Sequence, residues 1–136
     1  MIVTVIDGQG GRIGALLCEK IKKSDIRCVL RCVGTNSVAT TAMLKAGAET
    51  GATGENPIIV CSRDSDIITG PFGIVAADSM LGEITPASAN AVASSKAFKV
   101  LIPVSKCRTS IAGISDISLS ELVNEAVKTI GDICRG

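Results

Sequence analysis

The sequence predicts an α/β domain built around a mostly parallel sheet of five to six strands, and three observations support that fold class. Short apolar runs rich in β-branched residues alternate along the chain with segments of helical periodicity. Glycine, proline or a helix-capping residue marks most of the transitions between them. A length of 136 residues suits one domain. Residues 1–136 are therefore expected to form a single domain with helices on both faces of the sheet.

The individual elements follow from the two periodicities, taken in order along the chain. A β-branched run at 2–6 ends in glycines and predicts the first strand, and an apolar stripe from Gly11 predicts the first helix. Further strands are expected at 28–33, 58–61, 66–69 and 99–104, with a short sixth at 110–114. Helices are expected at 38–46 and 74–81, from the Thr85 cap with Pro86 in the first turn, and from the Ser118 capping box. The polar residues 49–56 are expected to form a loop.

The connection between the first strand and the first helix is glycine-rich and reads Asp7-Gly-Gln-Gly-Gly-Arg-Ile-Gly14. Glycine adopts the angles of such a turn at little cost, and backbone without a Cβ lets N–H groups reach a phosphate at the helix N-terminus. The turn therefore predicts a Rossmann-like three-layer sandwich that binds a nucleotide, most simply a dinucleotide. A tight turn with no ligand is the alternative. The residues predicted to bind the cofactor here are Gly8, Gln9, Gly10, Gly11, Arg12, Ile13 and Gly14.

The second predicted strand ends without the acidic residue that commonly binds the ribose of NAD. Gly34, Thr35, Asn36 and Ser37 follow it instead and suit hydrogen bonds to a ribose or its 2′-phosphate. Arg12 or Arg31 could add positive charge, so NAD and NADP both stay open, with a slight preference for the phosphorylated ribose. Gly70, after the fourth strand, predicts a second close approach to the cofactor. Polar residues near the glycine loops are the substrate-binding candidates: Glu55, Asn56, Asp78 and Glu83.

The composition excludes several classes of function. The chain has no His, Tyr or Trp, which removes histidine as a general base or metal ligand and removes aromatic platforms for single-stranded nucleic acid. A net charge of +1 gives no general attraction to nucleic acid or to anionic membranes. No apolar run is long enough to span a bilayer. The six cysteines lack zinc-ribbon spacing, so no metal site is expected.

The cysteines also indicate a compartment. The apolar start at 2–6 is too short for a secretory signal, and four of the six cysteines lie within apolar patterns. Reduced thiols in a soluble cytoplasmic protein are therefore expected. Cys107 lies between Lys106 and Arg108, where positive charge favours the thiolate, and is the candidate reactive thiol. An ordinary exposed cysteine is the alternative.

Several longer sequence motifs are distributed along the chain, at 5–14, 34–37, 42–48, 51–56 and 77–86. Through them the sequence resembles an uncharacterised family of small bacterial proteins, catalogued as a domain of unknown function, and this resemblance implies no particular activity. The opening turn is also similar to that of nucleotide-binding short-chain dehydrogenases. Their catalytic tyrosine has no counterpart in a chain without Tyr.

Two functions from different classes are consistent with these features. In the first, the chain is a nucleotide-binding protein that acts as a sensor or as a subunit of a larger assembly. In the second, it is a small oligomeric enzyme with a nucleotide cofactor and a pocket shared between subunits. No catalytic residues are identified. A homo-oligomer is expected in either case, because a short chain has few ways to enclose a dinucleotide and residues 87–97 are rich in alanine and other small residues.

Overall fold

A parallel sheet forms the centre of the molecule. In the computed structural model, which describes residues 1–104, 108–114 and 116–136, its strands are β1 (Ile2–Asp7), β2 (Val29–Gly34), β3 (Thr50–Thr53), β4 (Ile67–Pro71) and β5 (Phe98–Ile102). Their order across the sheet is β3-β2-β1-β4-β5, and every neighbouring pair is parallel. The predicted α/β class and parallel sheet are confirmed, with five strands among the described residues.

Helices cover both faces of the sheet and complete three layers. They are α1 (Arg12–Lys23), α2 (Ser37–Ala46), α3 (Glu55–Asp64), α4 (Pro86–Ser94) and α5 (Leu119–Arg135), with a 3₁₀ helix at Phe72–Val75. Helices α1, α2 and α5 pack on one face, in a core with Val3 and Val5 of β1. Helices α3 and α4 pack on the other face around Ile6. Successive β1 side chains thus serve opposite cores, as strand geometry requires.

Three helices begin at a side-chain cap, and two of these caps, Thr85 and Ser118, are the ones that the sequence predicts. The Asn36 side chain accepts from the Ala39 N–H at the start of α2, and Thr85 accepts from the Ser88 N–H at α4. Ser118 accepts from the Glu121 N–H at the start of α5. Each cap satisfies an N–H group that the first helical turn leaves without a partner.

The predicted third strand at 58–61 is wrong, because this segment is part of α3. Only the apolar residue Ile58 is fully buried here, with Ser62 four residues later on the same helix face. Pro57 lies in the first turn of α3, where a missing N–H costs no hydrogen bond. The strand β3 lies instead in the predicted loop at 49–56. The four residues of β3 are mostly exposed at the sheet edge, so the sequence has no apolar run that would predict a strand there.

Two shorter elements also differ from prediction. The helix expected at 74–81 is replaced by the 3₁₀ helix Phe72–Val75 and a series of turns. The sixth strand expected at 110–114 is absent from that described segment. Cys107, the predicted reactive thiol, lies outside the described residues, and the five described cysteines are free thiols. Across the described ranges, no helix combines the length and apolarity needed to cross a bilayer.

Strand order decides where a ligand can be held. From β1 the chain crosses first to β2 and β3 on one side, and later to β4 and β5 on the other. Outside the carboxyl ends of β1 and β4 the connections diverge, which is the position of the ligand crevice in open α/β sheets. The glycine turn after β1 and the start of α1 lie at this point.

Candidate functional site

The turn between β1 and α1 is organised by a buried carboxylate. Asp7, the last residue of β1, is only 5% exposed. Its Oδ1 accepts from the Gly8 N–H at 2.7 Å and its Oδ2 accepts from the Gly14 N–H at 2.7 Å. Burial raises the pKa of Asp7 above its ordinary value, although these N–H groups oppose the shift. Asp7 therefore ties the end of the strand to the first turn of α1.

Two of the predicted cofactor-binding glycines, Gly11 and Gly14, serve close packing. A Cβ on Gly11, whose φ is 71°, would lie 2.7 Å from the Cα of Ala39 in α2. A Cβ on Gly14 would lie 2.5 Å from the Met43 sulfur and 2.8 Å from the Asp7 Cβ. Gly14 thus permits the close contact of α1 with β1 and α2. In the strict Gly-x-Gly-x-x-Gly pattern the packing glycine would fall one position earlier, at Ile13.

Gly8 and Gly10 have different surroundings. A Cβ on Gly8 would meet the Thr35 hydroxyl at 2.6 Å and the Met80 sulfur at 2.7 Å, so this position is tightly enclosed. A Cβ on Gly10 would meet nothing within 4 Å. The Gly10 and Arg12 N–H groups have no hydrogen-bond acceptor within the part of the chain that the structure describes. The outer side of the turn therefore presents open backbone donors at the N-terminus of α1.

A second carboxylate, from Glu83, joins the turn to the end of β2. Its Oε1 accepts from the Thr35 hydroxyl at 2.5 Å, the Asn36 amide at 2.8 Å and the Gln9 N–H at 2.9 Å. Asn36 also donates to the Gln9 carbonyl at 2.9 Å. Burial acts to raise the pKa of Glu83, but these hydrogen bonds outweigh it and hold the pKa below its ordinary value. The Glu83 side chain is therefore ionised at neutral pH.

The segment 78–82, which precedes Glu83, has an unusual backbone conformation. Asp78, Met80 and Leu81 have φ values of 64°, 56° and 57°, in the left-handed region that side-chain-bearing residues rarely adopt. The buried Ser79 hydroxyl anchors this segment by donating to the Gly73 carbonyl at 2.5 Å. Leu81, at the tip, is 97% exposed. Such strain persists where surrounding contacts enforce it, and it concentrates at functional sites.

A cavity of about 430 Å³ lies between the glycine turn and this segment. Asp7, Gly8 and Gln9 form one side, and β4 and the following 3₁₀ helix form another. The residues that line the rest of the cavity are largely apolar and include Ile13, Pro71, Phe72, Met80, Leu81 and Val104. The cavity opens at the carboxyl ends of β1 and β4, so it coincides with the crevice that the strand order predicts.

The structure brings together only part of the predicted site. Gly8–Gly14, Thr35, Asn36, Asp78 and Glu83 lie around the turn and cavity. A Cβ on Gly34 would collide with the Thr40 hydroxyl and N–H, and a Cβ on Gly70 would collide with the Ile6 carbonyl, so both glycines permit close packing. Ser37 is the exposed first residue of α2. Glu55 and Asn56 are exposed at the start of α3, after the edge strand β3.

Arg31, a predicted source of positive charge for the cofactor, is engaged elsewhere. Its guanidinium pairs with Asp64 and donates to the Thr4 hydroxyl at 2.8 Å and the Cys61 carbonyl at 2.8 Å. These groups lie under α3 rather than at the turn. Arg12 remains available as the exposed first residue of α1.

Two residues at the site, Asp7 and Met80, escaped the sequence analysis as site residues. Asp7 carries the clearest signal, because a carboxylate ends an otherwise apolar, buried strand immediately before glycines. Met80 carries none, since an apolar residue in a connection is equally suited to the core. Among the described residues, no group of three or more His, Cys, Asp or Glu side chains could hold a metal ion.

The fold and site define a doubly wound α/β domain with a glycine turn and a crevice at its topological switch point. Residues 2–135 match the domain of unknown function DUF3842, and the chain belongs to that family. The expected resemblance to an uncharacterised family is thereby confirmed.

Two further comparisons add little beyond the family. A search of curated proteins found no match. Among solved structures, the chain is similar to a dodecameric FMN-dependent Ubix-like decarboxylase from Escherichia coli O157:H7. The two share 17% identity over 96% of this chain and 76% of that one, with a TM-score of 0.41. Similarity at that level carries no argument about the ligand or assembly of this chain.

Proposed function

We propose that the chain, as one domain over residues 1–136, binds a dinucleotide of the NAD(P) type across the carboxyl ends of β2, β1 and β4. The observation that carries the proposal is the open outer side of the glycine turn. Gly10 leaves room for a ligand, and the unused N–H groups of Gly10 and Arg12 point to an anion at the N-terminus of α1. Helix N-termini stabilise phosphate through such donors and through the helix dipole.

The neighbouring features suit the two ends of such a ligand. Polar groups of Thr35, Asn36 and Glu83 gather beside the turn at the end of β2, where a ribose lies in dinucleotide-binding folds. The largely apolar cavity beside Phe72 and Val104 suits a flat ring at the other end. With the pyrophosphate over Gly10, one extended ligand would reach both regions.

A sensor or subunit role is favoured over catalysis. The buried carboxylate in the cavity, Asp7, uses both oxygens to hold the N–H groups of Gly8 and Gly14. This arrangement gives Asp7 a structural role rather than a catalytic one. The second candidate, a small oligomeric enzyme, is supported by the cavity and by exposed Leu81 at its rim, which a second copy of the chain would cover. Glu55 and Asn56 would then contact substrate only from that second copy.

The proposed compartment and assembly follow from the same features. The free cysteines, among them the buried Cys18 and Cys32, suit a reducing cytoplasm. Within 87–97, Ala89, Val92 and Ala97 complete the core of their own chain. Support for a homo-oligomer therefore comes from Leu81 rather than from that stretch.

A thermal-stability screen tests the proposal, using NAD, NADP, ADP-ribose, ATP and FMN with far-ultraviolet circular dichroism as the readout. A ligand at a hundred times its Kd adds about 2.7 kcal/mol to the folded state, which is a rise in Tm of roughly 10 °C for a chain of this length. NAD or NADP is expected to give such a rise. Stabilisation by FMN alone would replace the dinucleotide with a mononucleotide, and no response to any of the five would refute nucleotide binding.

Gly10→Ala supplies the matched variant for this screen. The added methyl enters open space, so the fold is retained, yet it stands where the pyrophosphate backbone would approach. The rise in Tm with NAD or NADP is expected to shrink markedly in this variant. An undiminished response would place the phosphate elsewhere.

A further inference from the structure

The ribose end of the proposed site carries a carboxylate that the sequence around β2 does not contain. Thr35 and Asn36 directly follow β2, and neither is acidic. Both donate to Glu83, which reaches them from a segment almost fifty residues further along the chain. The Gln9 N–H adds a third donor from the glycine turn at 2.9 Å. An acidic group is thus held at the end of β2 by long-range contacts.

The two oxygens of this carboxylate have different surroundings. Oε1 accepts all three hydrogen bonds, whereas Oε2 accepts none from the described residues. The side chain is half-buried rather than enclosed, so Oε2 is accessible to a ligand. An ionised carboxylate can only accept hydrogen bonds, which suits the hydroxyl groups of a ribose diol. The same charge repels a phosphate placed on that ribose.

Two other charged groups, Asp7 and Arg31, also bear on whether a 2′-phosphate can bind at this position. Asp7 lies beneath the same turn. The negative charge of Glu83 is one of the influences that raise the pKa of Asp7, so the two carboxylates interact electrostatically. Arg31, the nearest cation in β2, is committed to Asp64 and to groups under α3. A ribose 2′-phosphate would therefore face negative charge with no compensating guanidinium from β2.

We infer that Glu83 determines the cofactor specificity of the site, accepting a free ribose 2′-hydroxyl and excluding a 2′-phosphate, so that the ligand is of the NAD class rather than the NADP class. This inference rests on the proposed dinucleotide function and reverses the slight preference for a phosphorylated ribose, for which Arg12 and Arg31 were the candidate cations. Glu83 acts here as a ligand contact that is positioned by Thr35, Asn36 and the Gln9 N–H.

Isothermal titration calorimetry with NAD and with NADP, at physiological ionic strength, tests the inference in three proteins. The wild type is expected to bind NAD at least about tenfold more tightly than NADP, the ratio that a single close like-charge repulsion produces. Glu83→Gln keeps the size and the Oε1 acceptor but removes the charge. Its NAD/NADP ratio is expected to fall by about tenfold, mainly through tighter NADP binding. Glu125→Gln, an exposed carboxylate on α5, is the control and should match the wild type.

Each outcome decides a different point. A wild type that binds NADP as tightly as NAD, or a Glu83→Gln ratio equal to that of the wild type, would overturn the role of Glu83 while leaving dinucleotide binding intact. Failure of both nucleotides to titrate with all three proteins would refute the proposed function itself, and the inference with it. Should Glu83→Gln fail to fold by circular dichroism, the wild-type ratio still decides whether a 2′-phosphate is excluded.

Discussion

Replacing Gly11 with alanine is expected to destabilise the protein by about 2–5 kcal/mol, a large share of the stability of an ordinary domain. Its φ of 71° lies in the left-handed region, where an L residue pays about 1–2 kcal/mol. The new methyl would also lie 2.7 Å from the Ala39 Cα and 2.9 Å from its carbonyl oxygen. These are backbone atoms of α2 that cannot rotate away, and overpacking of this kind costs about 1–3 kcal/mol.

The neighbouring Gly10 provides a control in the same turn. Its φ is not positive, and an added Cβ meets nothing within 4 Å. Gly10→Ala should therefore change the free energy of unfolding by no more than about 0.5 kcal/mol, or stabilise slightly by restricting the unfolded chain. The two substitutions add the same methyl group one residue apart, so a difference between them reports the local geometry.

Urea unfolding followed by far-ultraviolet circular dichroism measures both changes, since a chain without Trp or Tyr offers little intrinsic fluorescence. Each free energy is extrapolated to water with the m-value checked for two-state behaviour. Equal losses in the two variants, or a loss below about 0.5 kcal/mol for Gly11→Ala, would refute the close contact of the turn with α2.

Three other perturbations test further parts of the structure. Because the folded pKa of Glu83 is lowered, its stabilising contribution is present above the unfolded pKa and lost as pH falls through the folded one. The difference in unfolding free energy between wild type and Glu83→Gln should therefore be larger at neutral pH than in acid, and a constant difference would contradict the three hydrogen bonds. Burial raises the pKa of Cys18 to about 12 and that of Cys32 to about 11, so both should react with a thiol reagent only after unfolding; labelling in the native protein, read by mass spectrometry, would contradict their burial. Leu81→Ser should leave the Tm of the separated chain within experimental error, because the side chain is 97% exposed, yet lower the mass measured by light scattering if Leu81 joins two copies. An unchanged multimeric mass would assign the interface to another surface.

Strong local signals made most of the sheet predictable. The buried strands β1, β2 and β4 have apolar runs, and α4 and α5 begin where the Thr85 and Ser118 caps indicate. The edge strand β3 has neither feature, because three of its four residues are exposed and it contains Gly51. The apolar residues that follow it suggested a strand, although only Ile58 among them is fully buried. Periodicity over so short a segment cannot separate a helix from a strand.

The glycine turn was recognisable, but the task of each glycine was not. Gly8, Gly10, Gly11 and Gly14 look alike in the sequence. Their roles depend on what approaches each Cα: Met80 and Thr35 at Gly8, Ala39 at Gly11, Met43 at Gly14, and nothing at Gly10. These neighbours come from separate parts of the chain. Only the packed structure could therefore identify Gly10 as the position open to a ligand.

By itself, the sequence determined the fold class and the location of the glycine-rich turn, because both depend on residues that are adjacent along the chain. The charge of the site was decided by the tertiary structure alone. Glu83 reaches the end of β2 only through the folded segment after β4. Arg31 forms an ion pair with Asp64 and therefore does not contribute its charge to the site. Electrostatic interactions act through space and weaken with distance, so they depend on which side chains the fold brings together rather than on their order in the chain.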